Sequence, residues 1–297
     1  MQHTTGSFKT SDGLTLYTQH WLPPAEASTG VRACVVLAHG YAEHSSRYVR
    51  VAERLAARGY AVYAYDHRGH GKSEGERANV GVFREFVMDL CDFAEHVRQT
   101  HPSVPRFALA HSMGGMVALQ LALEHPGKID GLILSAAYIQ NAADIHPLLL
   151  SLSRAVSRYF PSLPVQELDT SALSRDEGVV RAYESDPLVY HGKVKARLGA
   201  ELLSAGPYVL ARAEHINHLP LFIMHGDADA IADAAGSRAL YEAALTDDKI
   251  LKLYPGFYHE LFNEPEAGPL EDVLEWLEDQ MTKLSVTSPV GRAPLRI

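Results

Sequence analysis

Apolar and polar positions along the 297 residues fall into two alternating rhythms. Val31 to Ala38, Tyr60 to Tyr65, Phe107 to Leu109, Ile129 to Leu134, Leu219 to Met224 and Lys249 to Leu253 are short apolar runs with the length of buried strands. Helical periods separate them. Val49 to Arg58 is one, Phe86, Val87, Leu90, Ala94 and Val97 share one face of a second, and Leu270 to Leu284 forms the last. This alternation predicts an α/β fold with a mainly parallel central sheet flanked by helices. Ahead of it, Phe8 to Trp21 reads as an antiparallel hairpin turning at Ser11-Asp12-Gly13, and at the far end Ser285 to Ile297 reads as a loose tail.

The rhythm stops between Ile139 and His218, where little reads as strand. That interval is expected to be a helical cap inserted over the carboxyl ends of the strands, so that residues 1–138 and 219–297 form the two parts of one core around a cap at 139–218. Within it, a projected helix gathers Leu148, Leu149, Leu152, Val156, Tyr159 and Phe160 on one face and sets Arg154 and Arg158 opposite. Such a face either packs the cap onto the core or meets lipid and lines a channel for an acyl chain.

Composition narrows the function classes. An apolar fraction of 46% fills a sizeable core, and the net charge of -9 comes from interspersed acidic residues with no basic block, which argues against nucleic-acid binding. Cys34 lies in an apolar strand and Cys91 in a helical pattern, so both read as buried thiols in a reducing compartment. Met1 to Thr10 lacks the basic start and apolar stretch of a signal peptide, and no run approaches the roughly 20 apolar residues of a membrane span. The expectation is a soluble cytoplasmic protein, with peripheral contact at a membrane surface left open.

The chemistry begins at Ala110-His111-Ser112-Met113-Gly114, which leaves the strand Phe107 to Leu109 and enters a helix-like run ending at His125-Pro126. A serine between small residues at a tight strand-to-helix turn is the pattern of a nucleophile elbow, although Ala110 stands where the usual pattern has glycine. A base and an orienting acid follow in suitable places. His259 comes after the last strand; Asp229 comes after Leu219 to Met224, with Asp227 two residues away as a competing acid or a turn former. The order Ser112, Asp229, His259 differs from those of the trypsin-like and subtilisin-like folds. His39-Gly40-Tyr41, after Val31 to Ala38, would present the Tyr41 backbone N–H to an oxyanion, and the Met113 N–H would be the second donor. The histidines show no ligand spacing of the His-Glu-x-x-His kind, so neither metal nor cofactor is expected.

Longer stretches carry a specific resemblance: His39 to Tyr48, Asp66 to Arg77, the serine elbow, Tyr183 to Leu188, and the segments around Asp229 and His259. On these the chain resembles the monoacylglycerol lipases of the α/β-hydrolase superfamily, close to the related lysophospholipases. The resemblance implies an apolar tunnel for one acyl chain under the cap and a narrow polar end for glycerol. It implies that Glu43 and Arg47 organise the polar loop and that Tyr183 lies near the glycerol hydroxyls, although a surface ion pair and a packed aromatic are the competing readings. Leu149, Leu152 and Val156 would line the acyl side. Phe262 stands where relatives can carry a polar residue. The expected activity is hydrolysis of medium- or long-chain monoacylglycerol through an acyl-enzyme, with a lysophospholipase or broad carboxylesterase as the alternative. A catalytically silent lipid-binding protein is the reading from another class.

Overall fold

The computed structural model describes residues 1–24, 30–142, 153 and 155–287. Eight strands form one sheet in the order β1-β2-β4-β3-β5-β6-β9-β10. The antiparallel pair β1 (Gln2–Lys9) and β2 (Thr15–Leu22) lies at one edge; β4 (Tyr60–Tyr65), β3 (Ala33–Ala38), β5 (Arg106–His111), β6 (Gly131–Ser135), β9 (Leu221–Gly226) and β10 (Lys249–Tyr254) run parallel to one another. The expected hairpin is therefore present but begins earlier, at Gln2. Its first strand is an exposed edge, so it carries no apolar signal.

The inner strands are apolar throughout because both faces of the sheet are covered. Cys34 and Val36 on β3, Ala108 and Ala110 on β5, and Leu221 and Ile223 on β9 point into one apolar cluster; Val35, Leu37, Phe107, Leu109, Phe222 and Met224 point into the other. The first cluster is closed by α2 (Arg84–Thr100) and α3 (Met113–Glu124), the second by α1 (Val49–Ala57) and the helix Gly268–Thr287. Cys34 and Cys91 are free and buried, as the sequence suggests. Among the described residues no helix is long and apolar enough to cross a membrane.

Between β6 and β9 the chain leaves the sheet. Residues 155–159 are helical, Glu177–Ser185 is a helix, and Pro164–Gln166 pairs with Val194–Lys195 in a small antiparallel sheet, β7 and β8. These strands are too short to show a period of two, which is why the interval reads as strand-free. The helix Ala196–Leu210 behaves differently: Leu198, Leu202, Ala205 and Val209 sink into the same cluster as the sheet. It serves the crossover to β9, so the stretch 139–218 holds both covering elements and a helix of the core. Tyr159 and Phe160, expected beside Val156 on one apolar face, are 73% and 64% exposed. Leu149 and Leu152 lie outside the described residues.

Candidate active site

β5 ends in a sharp elbow. Ser112 has φ 51° and ψ -116°, a sparsely populated backbone that the surrounding contacts hold in place. Its N–H donates to the Ser135 carbonyl at 3.1 Å, and its own carbonyl accepts from the Tyr138 N–H at 3.2 Å. Gly114 makes the turn possible: a Cβ there would sit 2.4 Å from the Ala38 carbonyl oxygen and 2.5 Å from that of His39. This close approach brings the end of β3, and with it the Tyr41 backbone, against the N-terminus of α3 that carries Met113. Ala110 is buried and registers against Ala38 on one side and Leu134 on the other. We expect Ala110→Gly to be tolerated and Ala110→Val to lower ester turnover more than tenfold through crowding, since overpacking costs about 1–3 kcal/mol. Equal turnover by the valine variant and the unaltered protein would show that this position does not restrict the elbow.

The three residues named from chain order meet above that turn. His259 Nε2 lies 2.9 Å from Ser112 Oγ, and His259 Nδ1 lies 2.7 Å from Asp229 Oδ2. Asp229 is fixed in turn, because its Oδ1 accepts the backbone N–H groups of Ile231 at 2.8 Å and Ala232 at 3.0 Å. His225 Nε2 stands 3.2 Å from Asp229 Oδ2. Asp227 is elsewhere: it accepts the Gly256 N–H at 2.6 Å and ties the loop after β9 to the loop after β10. Burial opposes charge on both members of the His259–Asp229 pair, but their attraction outweighs it. Asp229 is held well below the usual carboxylate range, by His259 first and by His225, while His259 is raised above the ordinary imidazole value of 6.5.

The loop after β3 is braced from behind. His39 Nδ1 donates to the Gly40 carbonyl at 2.8 Å, and its Nε2 accepts the His67 N–H at 2.8 Å. Asp66 accepts the Ser45 N–H and hydroxyl through one oxygen and the Lys72 N–H through the other, while Gly69 and Gly71 turn at φ 71° and 49°. The charged, glycine-rich stretch from Asp66 is thus a scaffold for the loop after β3.

Glu43 and Arg47 form a buried pair, not a surface one. Glu43 accepts the Gly40 N–H and the Tyr48 hydroxyl, each at 2.6 Å, and Arg47 at 2.9 Å. Arg47 also grips Glu260 in two-point fashion and lies 4.8 Å beneath the Tyr183 ring. Breaking one arm of such a pair strands a buried charge, which costs about 3–5 kcal/mol. Burial opposes the Glu43 carboxylate, yet Arg47 holds it below its ordinary value. Glu260, adjacent to His259 in the chain, was not among the residues singled out from sequence; an acid beside the candidate base was the available signal.

A cavity of about 390 Å³ opens over Ser112. Val156, Leu168, Leu173, Leu202 and Ile231 are among its apolar lining residues, and Glu43, Tyr183 and Glu260 among its polar ones; the Tyr183 ring packs in one cluster with Leu173, Leu168 and Ile231. The size suits a single-chain lipid or another small ligand. Phe262 is buried and walls a second, much smaller cavity with Arg47 and Glu260. A serine hydroxyl, an imidazole within reach of it and a carboxylate behind the imidazole are parts that acyl transfer requires.

Known proteins match this chain over most of its length. The family model described as serine aminopeptidase, S33 matches residues 29–266. A monoacylglycerol lipase of Mycolicibacterium smegmatis is 40% identical over 272 residues, covering 91% of this chain and 95% of the relative. Among solved structures, a monoacylglycerol lipase of Paleococcus ferrophilus matches with a TM-score of 0.77 at 30% identity, over 94% of this chain and 99% of its own. A soluble variant of the Saccharomyces cerevisiae monoglyceride lipase, solved in complex with a substrate analog, matches with a TM-score of 0.81 at 25% identity over 95% of each chain.

Proposed function

The chain belongs to the serine aminopeptidase S33 family of α/β hydrolases, and from that premise we propose that Ser112, His259 and Asp229 hydrolyse an ester through an acyl-enzyme. The protein is a serine ester hydrolase acting on monoacylglycerol. The observation that carries the residue assignment is the unbroken hydrogen-bonded line from Ser112 Oγ through His259 to Asp229 at the base of an apolar cavity. Ser112 Oγ attacks the ester carbonyl as its proton moves to His259 Nε2. Asp229 stabilises the imidazolium, and the Tyr41 and Met113 N–H groups face the oxyanion. His259 then protonates the departing glycerol oxygen. Water, giving its proton to the same imidazole, releases the fatty acid. Glu43 and Arg47 shape the polar end where glycerol sits, Tyr183 lies beside its hydroxyls, and Val156 belongs to the acyl side.

His259 works as a base only when neutral, and Asp229 raises its value, so the sign of the pH dependence follows. kcat/KM is expected to fall with acidity around a midpoint above 6.5, the ordinary imidazole value. A pH–rate profile whose acid limb lies below that value would contradict the ion-paired base.

Medium- or long-chain preference rests on the apolar part of the cavity, and peripheral contact with a lipid surface rests on the exposed Tyr159, Phe160, Leu163 and Val165 of the cap. Val156→Ser is expected to slow hydrolysis of a long-chain monoacylglycerol several-fold more than that of a short, dissolved ester, because an apolar side chain is worth about 1.5–3 kcal/mol when covered. A proportional fall on both, with a lowered melting temperature, would place Val156 in packing alone. The substrate assignment is tested by turnover of 1- and 2-monoacylglycerols against lysophospholipid and simple carboxylesters of equal chain length. Faster turnover of lysophospholipid would overturn it.

A further inference from the structure

His111 is buried, titratable and unused in the steps above, yet it lines the same cavity as Ser112 and His259. Its Nδ1 is 2.9 Å from the Ser135 carbonyl oxygen. A carbonyl only accepts, so Nδ1 carries the proton and Nε2 keeps a lone pair. The ring centroids of His111 and His259 are 4.7 Å apart with the planes tilted by 55°. Burial, reinforced by the neighbouring His259, pushes His111 down to about 4, which keeps it neutral at any pH where the base works.

The position of the ring matters as much as its protonation. His111 and Glu260 wall the main cavity and also the smaller one, whose other lining includes Arg47, Phe262 and Asn263. The smaller cavity is about 10 Å³, the space of one water, and its walls offer the polar partners that a buried water requires. An acyl chain on Ser112 would fill the main cavity and obstruct it as a route for water. The small chamber shares the His111 side chain as a wall with the main cavity.

We propose that His111 positions the water that cleaves the acyl-enzyme, with Nε2 accepting a hydrogen bond from one O–H while His259 Nε2 takes the proton of the other. The water oxygen bonds to the acyl carbon and its proton passes to His259. The bond from that carbon to Ser112 Oγ then breaks, Oγ regains the proton from His259, and the fatty acid leaves. His111 gains no proton at any stage and is a positioning residue. The proposal rests on the acyl-enzyme described above.

Two variants separate the two ends of the ring. In His111→Asn the amide NH₂ can still donate to Ser135 but nothing replaces Nε2; in His111→Gln the amide oxygen can reach the place of Nε2. Stopped-flow kinetics with p-nitrophenyl decanoate, whose acyl chain occupies the main cavity, resolve acylation, as a burst of nitrophenol, from deacylation, as the steady rate. Rates are normalised to the sites that react with a fluorophosphonate, so partial unfolding does not count. For His111→Asn we expect acylation within about twofold of the unaltered enzyme and deacylation slower by about tenfold, the loss of one hydrogen bond to the attacking water. His111→Gln should recover most of that loss. Acylation and deacylation slowing together, deacylation left unchanged, or a glutamine variant as slow as the asparagine one would each overturn the assignment. Absence of fluorophosphonate labelling at Ser112 in the unaltered protein would instead remove the acyl-enzyme itself.

Discussion

Replacing Ser112 by Ala is expected to lower monoacylglycerol turnover by about 10⁴- to 10⁶-fold while leaving the melting temperature nearly unchanged. The size of the effect follows from what the hydroxyl does. Its side-chain hydrogen bond is to His259, whereas the elbow itself is held by backbone bonds to Ser135 and Tyr138 and by the close approach at Gly114. In the proposed mechanism, removing Oγ therefore removes the nucleophile without releasing the turn. His259→Ala should be comparably inactive, and the double variant little worse than either single one, because members of one proton-transfer unit are not additive. Residual turnover within tenfold of the unaltered protein would mean that another group attacks the ester.

The second large effect is at the acid. Asp229→Asn is expected to reduce turnover by about 10⁴-fold, although the side chain changes hardly at all in shape. An asparagine oxygen can keep the two N–H bonds from Ile231 and Ala232. Its NH₂ would then face His259 Nδ1 and donate to it, driving the proton onto Nε2 and turning the base toward Ser112 the wrong way round. The raised value of His259 would be lost with the charge, so the acid limb of the residual pH profile should move to lower pH. Asp227→Asn should be far milder, since that residue joins two loops through the Gly256 N–H. Steady-state kinetics of both variants, with thermal melts, decide the matter. A more damaging change at Asp227, with both variants folded, would reassign the acid.

What the sequence made legible depended on distance along the chain. The sheet could be read because each inner strand is an unbroken apolar run, and the elbow because Ser112 stands between such a run and a helical one. Asp229 and His259 could be read from their places after β9 and β10. The hairpin could be read only from Phe8, since the exposed, polar start of β1 has no apolar rhythm, and the three- and two-residue strands of the cap could not be read at all. The Glu43–Arg47 pair is one helical turn apart and visible as a pair, but its buried character is set by Glu260, which reaches Arg47 from 213 residues away. His111 was one of 16 histidines until β6 supplied the Ser135 carbonyl that fixes its tautomer. Tyr159 and Phe160 follow the apolar period of the cap and yet face outward, which periodicity alone does not distinguish from burial.

The central claim is that a single activated serine, Ser112, turns over monoacylglycerol. Titrating the protein with a fluorophosphonate while following monoacylglycerol hydrolysis and mapping the adduct by peptide mass spectrometry tests it most directly. The account predicts one adduct per chain, on Ser112, with activity falling in proportion to labelling. Hydrolysis that persists after complete labelling, or an adduct carried by another residue as activity is lost, would contradict it.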